Sequence, residues 1–294
     1  MKIDEVKNIT VLGAGSMGHQ IGMLCALGGY ETTIQDINEK ALKEAGEKLE
    51  GIMSKWVSKG KITEEQKSAA FERLQFTTSL EEAAVRADFI IEAIVEKLDV
   101  KREVFEKLDQ LADPNTILAT NSSTIVNSLI ASATNRKDKV VNMHFFFPPL
   151  VMDCVEVVMS DATSEETAKL TMAVCEQINR TGVLLKKEIS GFVANRILGA
   201  LQKEAMYLYE EGIADFEDID LICRKALNHP IGPFELMDLS GIDVGYYVMQ
   251  QRYNETGNPE DKPSKAIEDK VKAGTLGRKT GKGWYDYTKE GVKN

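Results

Sequence analysis

The chain has 294 residues, room for two domains of ~150 residues each, and its 43% apolar content against 28% charged supports a packed globular core. A net charge of −10 argues against a general nucleic-acid or anionic-membrane binder, because both need a net basic face. No apolar run nears the ~18 residues of a membrane span, the amino terminus lacks the apolar stretch of a signal peptide, and Cys25, Cys154, Cys175 and Cys223 stand far apart without a C-x-x-C pair. A cytoplasmic protein with neither disulfides nor a metal site is expected.

In chain order, Asn8 to Leu12 reads as a buried strand, Met17 to Leu27 as an apolar helix and Glu31 to Gln35 as a second strand. Such β-α-β alternation predicts a parallel sheet covered by helices. Asn38 to Gly60 is a long charged helical stretch, and Thr63 to Leu74 follows as a second helix. Together they predict a helical hairpin projecting between the second and third strands. Phe89 to Ile94, Thr116 to Thr120 and Val140 to Phe145 read as further strands of the sheet. Thr63-x-x-Gln66, Ser79-x-x-Glu82 and Thr163-x-x-Glu166 each fit a capping box at a helix start. After Lys186-Lys187-Glu188 the pattern turns helical, with stops at Gly212, His229-Pro230, Gly241 and Gly257. The domains are therefore expected at 1–188 and 189–294. Lys289 to Asn294 read as a frayed tail.

Gly13-Ala14-Gly15-Ser16-Met17-Gly18 is a G-x-G-x-x-G turn between a strand and a helix, and Asp36 ends the next strand. That context is the dinucleotide fingerprint of a Rossmann-type, doubly wound α/β sheet. Gly13, Gly15 and Gly18 permit the tight turn and close approach, and with Ser16 and Met17 they lead the helix N-terminus to a pyrophosphate. Asp36 accepts from ribose hydroxyls and repels a 2′-phosphate, which favours NAD over NADP. FAD is held by a similar turn, and these residues alone do not separate the two.

An alcohol dehydrogenase also needs a base. Of the three histidines, His19 lies in the first helix and His229 precedes Pro230. His144 ends a predicted strand, where open α/β sheets hold their ligands. An imidazole with its ordinary pKa of ~6.5 suits proton transfer near neutral pH. Pro148-Pro149 turns the chain and Val151 to Val158 reads as the next strand. A turn centred near Leu150 makes His144 and Glu156 cross-strand neighbours. Position alone leaves open a core histidine beside a surface glutamate. Lys55, Lys59 and Lys61 form a basic stretch without acids, and Lys55 and Lys59 share one helix face. That face suits the phosphates of coenzyme A, or is simply solvated.

The sequence resembles the short-chain L-3-hydroxyacyl-CoA dehydrogenases of the 3-hydroxybutyryl-CoA dehydrogenase type. The residues that carry the resemblance are Ala119 to Thr124, His144 at the family spacing after Ser123, Gly191-Phe192-Val193-Ala194-Asn195-Arg196, Asn228 to Leu236 and Gly277 to Gly283. The resemblance implies His144 as general base and acid, Glu156 as its orienting partner, and Ser123 and Asn195 on the reacting or thioester oxygen. It implies cofactor contacts at Glu96, Lys101, Ser123 and Lys279, and acyl-CoA contacts at Lys55 and Lys59. It implies a smaller all-α second domain that forms a homodimer. A branched, cyclic or non-CoA 3-hydroxy acid is the alternative substrate, and a low-activity dinucleotide-binding protein the alternative role. Phe147 departs from the family's usual Asn, which removes a cofactor hydrogen bond worth ~1 kcal/mol. Asp153 replaces a usual Lys, and Gln20 a usual Gly.

Overall fold

The computed structural model describes residues 2–288, so the expected frayed tail at Lys289 to Asn294 lies outside the described residues. The chain divides into two compact units, Met1–Phe192 and Val193–Asn294. Phe192 is fully buried against Val158 and Leu185, which carries the first unit past the 188/189 switch read from the sequence.

In chain order the first unit contains β1 (Asn8–Leu12), α1 (Gly18–Leu27), β2 (Glu31–Gln35), α2 (Glu39–Ser58), α3 (Glu64–Glu72), β3 (Leu74–Thr77), α4 (Leu80–Val85), β4 (Phe89–Glu92), α5 (Leu98–Leu111), β5 (Ile117–Thr120), α6 (Asn127–Ala131), β6 (Val140–Phe145), β7 (Cys154–Val158), α7 (Glu165–Gln177) and β8 (Thr181–Leu185). The strands form one eight-stranded sheet in the order β3-β2-β1-β4-β5-β6-β7-β8. All neighbours are parallel except β6 and β7. Alternate side chains serve opposite faces, as strand geometry requires. Ile9, Val11, Phe89 and Ile91 pack with Ile21, Leu24, Leu49 and Val174 on one face. Leu12, Ile90 and Leu118 pack with Phe105, Leu108 and Ile130 on the other. This is the expected doubly wound sheet.

The helical hairpin is α2 and α3. Its inner face joins the main core through Leu42, Ala45, Leu49, Met53 and Ala70, while Lys55 to Lys61 at its tip stay largely exposed. Short edge strands β3 and β8 had no sequence signal, since four or five residues with exposed faces show little periodicity. Two expected strands are shorter than read. Phe89 to Ile94 stops at Glu92, whose carboxylate accepts the Ile94 N–H at 2.8 Å. Val151 to Val158 begins only at Cys154, because Val151 and Met152 donate to the Pro148 carbonyl in a turn.

Of the expected capping boxes, the one at Thr63 and Gln66 is complete. At Ser79 only half forms, since the Glu82 carboxylate accepts from Thr77 Oγ1 instead. At α7 the cap is Ser164, one residue later than read; Thr163 Oγ1 donates to the Val140 carbonyl.

The second unit is helical: α8 (Ala194–Glu210), α9 (Phe216–Lys225), α10 (Pro233–Ser240), α11 (Ile242–Thr256) and α12 (Lys265–Lys272). Gly212, Gly241 and Gly257 break the helices with φ of 67°, 96° and 64°, which non-glycine residues rarely adopt. Trp284 closes the core against Phe234, Tyr209 and Phe216, with ring centroids 4.6 to 5.6 Å away. Two buried carboxylates pin the polypeptide around it. Asp220 accepts the N–H groups of Phe234 and Glu235 and the Tyr285 hydroxyl. Asp238 accepts the N–H groups of Trp284 and Tyr285 and the Tyr287 hydroxyl. Asp238→Ala orphans these donors and is expected to lower stability by about 3 kcal/mol, read as a fall in the denaturation midpoint.

Candidate active site

The carboxyl ends of β1, β4, β5 and β6 share one rim of the sheet, because these strands are parallel neighbours. The glycine turn sits on that rim after β1. Gly13 has φ of 98°, and a Cβ there would meet the Ala93 carbonyl oxygen at 2.6 Å. A Cβ on Gly18 would strike the Gly13 carbonyl oxygen. At Gly15 an added Cβ meets nothing within 4 Å. Its bare backbone therefore faces open space that a pyrophosphate fits. No side chain caps the start of α1, so the first-turn N–H groups and the positive end of the helix dipole remain for an anion. Asp36 follows β2 and accepts the N–H groups of Ala14 and Asn38 at 2.8 and 2.9 Å. One carboxylate thus ties the turn to the second strand and keeps further lone pairs for ribose hydroxyls. These features fit a dinucleotide.

Lys101 lies deep in the unit. It is 1% exposed, neither a solvated charge nor a surface contact. Its ammonium lies 2.6 Å from Glu92 and 3.3 Å from Glu96. Glu92, fully buried, also accepts from Thr120 Oγ1 at 2.7 Å. Glu96 Oε1 accepts from Ser122 Oγ, from the N–H groups of Ser123 and Thr124, and from Thr124 Oγ1. Burial alone would raise the Glu96 carboxyl, but the Lys101 ammonium and the bonds from Ser122 and Thr124 outweigh it and hold it below the usual range. Glu96 therefore spends one oxygen on the loop that carries Ser123, and Lys101 bears on that loop through Glu96.

That loop faces His144. The antiparallel β6–β7 register sets His144 opposite Glu156. His144 Nδ1 lies 2.9 Å from Glu156 Oε2, and both residues are 3% exposed. A carboxylate can only accept here, so Nδ1 carries the proton and Nε2 presents its lone pair. Ser123 Oγ lies 3.2 Å from Nε2. Phe146 and Phe192 flank the imidazole, with centroids at 4.7 and 5.4 Å. Asn121 accepts the Phe145 N–H, and Asn142 donates to the Ser122 carbonyl, so the strand and the serine loop hold each other. The unit therefore offers a buried, oriented base beside a hydroxyl, on the rim that carries the phosphate turn.

The other expected residues fall as follows. Lys55 lines an open cleft of about 550 Å³ with Gly15, Ser16, Lys48 and Phe147; Lys59 does not line it. Asn195 sits in the first turn of α8, and Lys279 pairs with Asp243 at 2.6 Å, both in the second unit. Phe147 is 63% exposed on the cleft wall. Gln20 donates to the Ser16 carbonyl and accepts from the Leu150 N–H, linking the phosphate turn to the loop after His144. Asp153 accepts from Thr181 Oγ1 at 2.7 Å, a surface contact with β8. Sequence reading did not name Glu92. Glu92 had a signal: an acid closing an apolar strand is buried and needs a partner.

The chain matches the family model of the 3-hydroxyacyl-CoA dehydrogenase NAD binding domain over residues 8–189. It matches that of the 3-hydroxyacyl-CoA dehydrogenase C-terminal domain over residues 191–287. It is 39% identical over 283 residues to a probable 3-hydroxybutyryl-CoA dehydrogenase of Bacillus subtilis, covering 96% of this chain and 98% of that one. A 3-hydroxybutyryl-CoA dehydrogenase of Clostridioides difficile is 37% identical over 281 residues, with 96% and 99% covered. The crystal structure of (S)-3-hydroxybutyryl-CoA dehydrogenase from Ralstonia eutropha superposes with a TM-score of 0.90 at 34% identity, covering 97% of this chain and all of that one.

Removing one partner of the buried pair has a clear expected cost. Lys101→Met leaves Glu92 unpaired and should destabilise the protein by about 3 kcal/mol or more, seen as a lower unfolding midpoint. Glu96→Gln tests the loop staple by pH. A depressed carboxyl stabilises the folded state above its ordinary pKa, and the gain is lost as pH falls through the folded value. The stability gap between wild type and Glu96→Gln should therefore persist at neutral pH and close below about pH 4.

Proposed function

The chain belongs to the 3-hydroxyacyl-CoA dehydrogenase family and is an NAD-dependent dehydrogenase, and from that premise we propose that it interconverts short-chain L-3-hydroxyacyl-CoA and 3-ketoacyl-CoA esters with His144 as base and acid. The observation that carries this reading is the buried Glu156–His144–Ser123 line, in which Nδ1 faces Glu156 and Nε2 faces the Ser123 hydroxyl. In oxidation the C3 hydroxyl proton passes to Nε2. The imidazolium that forms is stabilised by Glu156 across the hairpin, and in reduction it returns the proton. Gly13, Gly15, Ser16, Met17, Gly18 and Asp36 would hold NAD, which would accept the hydride leaving substrate C3. Ser123 would donate to the reacting oxygen while its loop is kept in place by Glu96. By the resemblance Asn195 would bond a substrate oxygen and Lys279 the cofactor, and Lys55 would meet the coenzyme A part of the substrate.

A homodimer formed through the second unit is part of the same proposal. Ile213, Ile197, Tyr247 and Leu227 on that unit are 58 to 69% exposed and are the candidates for that contact. A cytoplasmic location is part of the same proposal, in keeping with four free cysteines.

NADH oxidation with acetoacetyl-CoA tests the reading, run beside NADPH and beside free acetoacetate. Turnover is expected only with NADH and the CoA ester. His144→Ala should lower kcat by about 100-fold or more; undiminished turnover in that variant overturns the mechanism. Light scattering on the purified protein should give a dimer mass.

A further inference from the structure

The cleft beside the phosphate turn holds more basic chemistry than the turn requires. Gly15 and Ser16 form one side, α2 another, and Phe147 a third. Lys48 and Lys55 are seven residues apart on α2, two helical turns, and both line the cleft. His19 of α1 joins the same lining although it is only 5% exposed. Its Nδ1 donates to the Gly15 carbonyl at 2.5 Å, which leaves the Nε2 lone pair available. Nε2 has no hydrogen-bond partner among the described residues. Burial lowers the His19 pKa, the Gly15 carbonyl opposes this in part, and Lys48 lowers it further. The charged groups lining the cleft are Glu44, Lys48 and Lys55; the side bearing Phe147 contributes none.

We infer that His19, Lys48 and Lys55 form a subsite for a phosphate-ester group of a bound ligand, beside the N–H groups of the phosphate turn. Lys48 lies 3.6 Å from Glu44, and its side chain is 61% exposed. That pair is loose and screened, so turning Lys48 toward an anion costs little. An arriving phosphate reverses the balance on His19. It favours the imidazolium, so Nε2 gains a proton and donates it in a hydrogen bond to a phosphate oxygen. Binding is thereby linked to proton uptake at neutral pH. The phosphate comes from the dinucleotide or from coenzyme A; the second source rests on the function proposed above.

Calorimetric titration with CoA and, separately, with NADH distinguishes these sources without any turnover. It is run in two buffers of different ionisation heat on wild type, Lys48→Ala and His19→Gln. The expected result is a CoA Kd about 5-fold weaker in Lys48→Ala, with proton uptake in wild type that His19→Gln lacks. If the NADH Kd shifts instead, the subsite stands and serves the dinucleotide. Unchanged Kd values for both ligands in Lys48→Ala overturn the inference, a result that does not depend on whether His19→Gln folds. Failure of the CoA-ester reading shows separately, as wild-type protein that turns over no acetoacetyl-CoA.

Discussion

An ammonium group that is 1% exposed must be paired, and Lys101 meets that demand with two carboxylates from different parts of the sheet rim. Glu92 ends β4 and also holds Thr120 at the end of β5. Glu96 lies just before α5 and gathers the loop after β5. A charge left alone at this depth would cost several kcal/mol, so the ends of β4 and β5, the start of α5 and the serine loop are fixed together. Ser123 owes its place beside His144 to that arrangement rather than to its own packing.

His144 is placed by a different constraint. The sheet is parallel up to β6, and a parallel neighbour would have needed a long crossover. The turn through Pro148 to Met152 instead returns the chain at once, and β7 runs antiparallel. Only that return sets a glutamate twelve residues later directly across from the histidine. The carboxylate fixes the tautomer, the flanking phenyl rings limit its motion, and the lone pair is left facing Ser123. The orientation of the imidazole is thus supplied by the fold itself.

The second unit repeats the logic of a buried carboxylate as a fastener. Asp220 and Asp238 each accept from two backbone N–H groups and a tyrosine hydroxyl. A Cβ on Gly283 or Gly277 would strike Asp238, so the two glycines let the polypeptide pass close to the carboxylate. The segment that carries Trp284 is held by these bonds over a core of aromatic rings.

The doubly wound sheet, the phosphate turn and Asp36 were legible in the sequence, and so was His144 facing Glu156 across a hairpin, although position alone left a surface glutamate open. Each is written in local pattern: strand alternation, glycines at fixed offsets, and a turn whose length sets a register. Short edge strands and the shift of a cap from Thr163 to Ser164 were not legible, because a few residues carry too little periodicity and several nearby hydroxyls compete for the same N–H groups. The partners of the long-range charges were set by packing. Lys101, given by the resemblance as a cofactor contact, is buried by the fold beside Glu92 and Glu96. Lys48 and His19, far apart in sequence, became neighbours only when α2 was laid along α1. A side chain's charge is printed in the sequence; what it is desolvated by, and which opposite charge it meets, is set only by the elements packed around it.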